Sequence, residues 1–112
     1  MPPDPRAFLW DAHRAASLIH GFVEGRTWEE YEADAMLRSA VERQFEIIGE
    51  ALNRLSKVDP PLAALIGDIG RIVAFRNVLI HGYATVDDTI VWEVATTRIG
   101  GLVDQLAGLL EA

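Results

Sequence analysis

The sequence predicts an all-α bundle, and three observations point there. Apolar residues recur at steps of three and four over long stretches, the period of one helix face. Capping residues and prolines stand where those stretches begin. Strand signals are confined to fragments such as Ile72-Val73 and Val78-Leu79-Ile80, with no sustained alternation. Four main helices are expected, with one or two short ones between them.

The first helix starts at Asp4-Pro5, a capping acid followed by proline at the first helical position. Phe8, Ala12, Ala15, Ile19 and Phe22 form its stripe, and Gly25 is the expected stop. Thr27 and Glu30 have the spacing of a capping box, which opens a short turn or the next helix. From about Asp34 to Lys57 the stripe is Leu37, Val41, Phe45, Ile48, Leu52 and Leu55. Ala33, Met36, Ala40, Ile47 and Ala51 widen it, so this helix should touch more than one neighbour. Glu50 and Arg54 are spaced for an i,i+4 pair on its outer side.

Asp59-Pro60-Pro61 breaks that helix, and a short helical piece is expected over Leu62 to Ile66. A further helix should begin near Asp68, carry Ile72, Val73, Phe75, Val78 and Leu79, and end near Gly82. Asp87 and Asp88 favour the start of a C-terminal helix through the helix dipole. Its stripe is Val91, Ala95, Ile99, Leu102, Leu106 and Leu109. Gly100-Gly101 should kink it or let another helix come close.

The chain has 112 residues, 50% of them hydrophobic and 24% charged, which suits one domain over residues 1–112. The wide apolar stripes suggest that a monomer leaves apolar surface exposed, so a homodimer is expected. With no Cys, thiolate metal sites, disulfides and catalytic thiols are excluded. No apolar run is long enough to span a bilayer and the N-terminus has no signal-peptide pattern, so a cytoplasmic protein is expected. Asp and Glu number 17 against 10 Lys and Arg, a formal charge of −7. That argues against broad capture of nucleic acid, DNA included, and confines any such role to a local patch.

One stretch is chemically loaded: Arg76-Asn77-Val78-Leu79-Ile80-His81-Gly82-Tyr83. Between Ile69 and Val86 the sequence has Arg71 and Arg76 and no acid, a local basic island. On a helix Asn77 and His81 lie about 40° apart, but Arg76 and His81 about 140° apart. Convergence of the last two needs the helix to unwind at His81-Gly82, or a twofold-related copy alongside. Such a group suits metal-independent cleavage of RNA. Imidazole exchanges protons near neutral pH. Guanidinium holds phosphate oxygens and stabilises charge that builds on them. RNA brings its own nucleophile, the 2′-hydroxyl. Asn77 could orient His81 or bond a phosphate. No cofactor is called for.

Arg76, four residues, then His81-Gly82-Tyr83 resembles the R-x4-H-x-Y signature of HEPN-domain ribonucleases. More narrowly, it resembles the HepT-like toxins of HepT/MntA-type (type VII) toxin–antitoxin systems. Phe45-Glu46-Ile47-Ile48-Gly49-Glu50-Ala51 and the Asp88 to Val94 stretch carry the same resemblance. It implies a HEPN-type helical dimer with the two motifs facing each other, and RNA cleavage without metal by Arg76, Asn77 and His81. It also implies a nucleotidyltransferase antitoxin that transfers AMP to the motif tyrosine, here Tyr83. A runner-up reading is an inactive helical dimer that binds a nucleotidyltransferase or a nucleotide.

Plainer readings cover other features. His13 and His20 lie two turns apart, about 10 Å along a helix, too far to share a metal. The Gly67-Asp68-Ile69-Gly70 string lacks the strands of the RNA-binding module that uses one. Trp10, Trp28 and Trp92 are expected to pack, not to stack on bases. No phosphate-binding glycine loop of the ATPase or dinucleotide type is present.

Overall fold

The computed structural model describes residues 3–82 and 86–112. The described residues form seven helices: α1 (Pro5–Val23), α2 (Trp28–Ala33), α3 (Ala35–Val58), α4 (Pro60–Ala63), α5 (Ile69–His81), α6 (Asp88–Thr97) and α7 (Ile99–Glu111). Five are long and two are short, so the architecture is the all-α one expected, with one more long helix than the four predicted. None is long and apolar enough to cross a membrane.

Helix α3 is the axis of the molecule. Its predicted stripe, Leu37, Val41, Phe45, Ile48, Leu52 and Leu55, is buried throughout. Because that stripe is wide, α3 meets α1 on one side and α5 on another, and also touches α2, α4 and α6. Truncating a fully buried leucine such as Leu52 costs about 2–5 kcal/mol, so this one helix carries much of the stability. Helix α1 lies against α3 and α7. Ala12, Ala15 and Ala16 are buried on it, and their small size lets the backbones approach.

The ends follow the sequence closely. Asp4 accepts the amide of Arg6 at 2.9 Å. Gly25, with φ of +73°, takes the chain out of α1 in a conformation that costs a glycine least. Both halves of the capping box form: the Thr27 amide donates to Glu30 at 3.1 Å, and the Glu30 amide donates to the Thr27 hydroxyl at 3.2 Å. Asp59 serves two helices. Its amide closes α3 on the Leu55 carbonyl at 2.8 Å, and its carboxylate caps α4 by accepting from Leu62 at 3.1 Å. The short helix therefore starts at Pro60, not Leu62, because proline at a first helical position opens a helix.

The C-terminal segment departs most from expectation. It is two helices, broken at Arg98 and not at Gly100-Gly101, which lie in the first turn of α7. Among the described residues nothing lies within 4 Å of a Cβ placed at either glycine, so none of the helices packs close there. The Thr96 and Thr97 hydroxyls donate to the carbonyls of Trp92 and Glu93 at 2.8 and 2.6 Å. Such back-bonding bends a helix, and the weak helix formers that follow cannot carry it straight on.

Tyr31 of α2 is fully buried, with Trp92 of α6 at 5.1 Å and Trp28 at 6.1 Å between ring centroids. Burial, reinforced by Glu42 and Asp88, pushes its phenol above the ordinary range, while Arg38 opposes them. Arg38 also donates to the Glu32 carbonyl at the end of α2 and pairs with Asp88 at 3.6 Å. Trp28 and Trp92 pack as expected. Trp10 does not: it is 60% exposed and stacks on His13 at 6.2 Å. A tryptophan at a position outside the α1 stripe has no core to enter.

Candidate active site

The site grows out of α5, the least buried of the long helices. Leu79 is its single fully buried residue, and Ile72 and Phe75 are half-buried. Val78 and Ile80 are 51% and 36% exposed. The reason is positional: α5 packs on α3 and is not clasped by α6 and α7. An open cleft of about 490 Å³ separates them, with Phe45 and Ile48 of α3 in its lining. Phe75 meets Phe45 edge to face at 5.1 Å and fixes α5 against α3. That larger cleft is lined by neither Arg76 nor His81. A second groove, of about 340 Å³, is lined by Arg76 and Ile80 with Glu46, Glu50 and Arg54 of α3.

One turn beyond that aromatic contact, Gly49 of α3 makes a notch for Arg76. A Cβ at position 49 would overlap Arg76 Cβ and sit 2.5 Å from Cγ. The arginine stem therefore lies directly on the α3 backbone. Its guanidinium is then held from two sides. Nη2 donates to Glu50 Oε2 at 2.6 Å, and Nη1 donates to Asn77 Oδ1 at 2.8 Å. Glu50 in turn accepts from Arg54 Nε on its other oxygen at 3.0 Å. The Arg76 side chain is 21% exposed, and its Nε is buried with no acceptor among the described residues.

These contacts correct the expected basic island. The acid-free run from Ile69 to Val86 holds in sequence, but Glu50 stands against Arg76 from 26 residues away. Asp68 lies 3.9 Å from Arg98 at the other end of α5. A window along the chain cannot see an acid delivered by a neighbouring helix.

His81 is the last residue of α5 and is exposed. The helix does not unwind before it. Gly82 has φ of −114°, outside the left-handed region, and its amide bonds the Val78 carbonyl at 2.7 Å. Of the two routes to convergence, local unwinding is thus absent, and within one chain Arg76 and His81 leave α5 about 140° apart. Asn77 is turned to Arg76 and its oxygen is engaged there. Tyr83 lies outside the described residues. His13 and His20 are both on α1 and line neither groove, and among the described residues no group of three His, Cys, Asp or Glu could hold a metal ion.

Sequence reading missed Gly49 and the second partner of Glu50. A signal existed for the first. Glycine inside a strong helix costs about 1 kcal/mol against alanine, so its presence in α3 points to a close backbone approach. No signal existed for the second, since Glu50 already had a local partner in Arg54.

The family model described as "Ribonuclease HepT-like" matches residues 12–109, nearly the whole chain and all of this site. The chain belongs to the HepT-like ribonuclease family. Relatives agree in kind. A Methanocaldococcus jannaschii protein named "Putative RNase" is 30% identical over 97 residues, covering 81% of this chain and 83% of its own length. One of the same name from Caldanaerobacter subterraneus subsp. tengcongensis is 30% identical over 107 residues, covering 96% and 95%. A second M. jannaschii relative is 32% identical over 96 residues, covering 86% and 78%. No solved structure matches the chain. Ribonuclease activity follows from the family membership, and the all-α fold agrees with it.

The notch can be tested by Gly49→Ala. Alanine gains about 1 kcal/mol in helix propensity. Overpacking of a fixed contact costs about 1–3 kcal/mol, and here the atom displaced is a Cβ, which no rotamer change can move. A net loss of stability is expected, read as a lower denaturation midpoint at unchanged slope. A more stable variant would show that α3 and α5 have room between them.

Proposed function

We propose that this HepT-like protein is a metal-independent endoribonuclease whose active site is completed by two copies of the chain, and that it acts as the toxin of a toxin–antitoxin pair. The observation that carries the reading is the contrast between its two key side chains. Arg76 is fixed on α3, and His81 stands exposed one turn later on the same unbroken helix. A twofold partner on the exposed side of α5 would bring the missing groups, and the apolar Val78 and Ile80 there suit such a contact.

The chemistry then runs without a metal. Neutral His81 of one copy takes the proton of a 2′-hydroxyl as its oxygen attacks the adjacent phosphorus. Protonated His81 of the other copy gives a proton to the departing 5′-oxygen. The products are a 2′,3′-cyclic phosphate and a free 5′-hydroxyl. Arg76 answers the charge gathering on the phosphate oxygens. Two of its N–H groups are taken by Glu50 and Asn77. Nε–H is buried, which leaves one N–H on each terminal nitrogen for phosphate. Asn77 helps to hold that geometry. For neutralisation, a small nucleotidyltransferase partner transfers AMP to Tyr83. A bulky phosphodiester two residues from His81 would compete for the place RNA needs.

Purified protein incubated with RNA in EDTA should cleave it, and Arg76→Ala and His81→Ala should each lower the rate by about 100-fold or more. Wild type and His81→Ala that leave RNA equally intact would defeat the catalytic reading. Coexpression with a nucleotidyltransferase encoded beside the gene should add AMP to the wild-type chain and not to Tyr83→Phe, as read by intact mass. A neutralised chain of unmodified mass would mean inhibition by binding alone.

A further inference from the structure

We infer that Glu50 is a positioning residue for the cleavage reaction: it sets the direction in which Arg76 presents its guanidinium to phosphate. The inference rests on the ribonuclease reading above and adds a residue from a different helix to the machinery.

Four contacts make the case. Gly49 lets the Arg76 stem lie on α3, and the guanidinium then reaches the carboxylate of the next residue, Glu50. The Arg76–Glu50 contact is 2.6 Å, the length of a charge-assisted bond, and joins residues 26 apart in sequence. Glu50 is itself held, because its second oxygen accepts from Arg54 at 3.0 Å. Asn77 engages the opposite terminal nitrogen of Arg76 at 2.8 Å. The guanidinium is a rigid planar fork. Pinning one N–H on each terminal nitrogen therefore fixes the other N–H on each as well.

Glu50 also stands where it could block Arg76 by occupying it. It occupies one N–H of five, however, and leaves a donor on each terminal nitrogen. Without Glu50 the half-buried guanidinium loses its main anchor and turns toward water, since a charged group shielded from solvent is costly unless paired. What is lost is geometry, not charge. The transition state, which needs donors at fixed positions, suffers more than RNA binding, which needs only a cation nearby.

The test is steady-state cleavage of a short fluorogenic RNA by wild type, Glu50→Ala and Glu50→Gln, with melting temperatures measured alongside. Glu50→Ala should lose kcat by about 10- to 100-fold, the scale of a small misplacement of a catalytic group. KM should stay within about threefold, because the variant is one negative charge lighter and still carries the Arg76 cation. Glu50→Gln keeps an acceptor on residue 50 and should recover most of the lost kcat. Glu50→Ala with wild-type kcat, or a loss carried by KM, would overturn the inference. So would equal losses in both variants together with lowered melting temperatures, which would mark a merely structural residue. If Glu50→Ala is fully active while His81→Ala is dead, the Glu50 role fails and the ribonuclease reading stands. Wild type that cleaves no RNA defeats both.

Discussion

The close approach of α3 and α5 at Gly49 is the constraint on which the rest of this molecule depends. A glycine in the middle of the central helix removes the one atom that would stand in the way of Arg76. The arginine stem then lies along α3, Glu50 is the next residue to meet it, and Asn77 closes the other side. The edge-to-face contact of Phe45 with Phe75 supports the same crossing one turn earlier. The rest of the bundle, in which α1 packs on both α3 and α7, supplies the stiffness that keeps this contact in place.

That arrangement also explains how an acidic chain can handle a polyanion. With a formal charge of −7, the protein has no field to draw RNA in. Its guanidinium is moreover paired with a carboxylate. Function has to come from short-range placement of a few donors where charge develops, not from accumulated cations.

Much of the fold was legible in the sequence because its rules are local. Every residue of the α3 stripe is buried, and the caps at Asp4, Thr27 and Asp59 form as the residue types dictate. The break at Arg98 was misplaced by two residues because the glycines draw attention, while the threonine hydroxyls that bend the helix act only through their rotamers. The placement of Arg76 and His81 on one helix, and their divergence there, was legible as well. The Gly49 notch and the second bond of Glu50 were not, since both depend on which helix lies beside α5. Tertiary neighbours, and not local patterns, decide what a charged side chain finds.

The central claim is that two diverging side chains on one helix become a single site when a second copy joins. Two imidazoles each within about 3 Å of one phosphate must lie within about 10 Å of each other. The chain has no Cys, so His81→Cys carries a lone thiol. Treated with a short bismaleimide, that variant should give a covalent dimer on a denaturing gel. A dimer in solution whose thiols stay unlinked, or a chain that sediments as a monomer, would contradict the account.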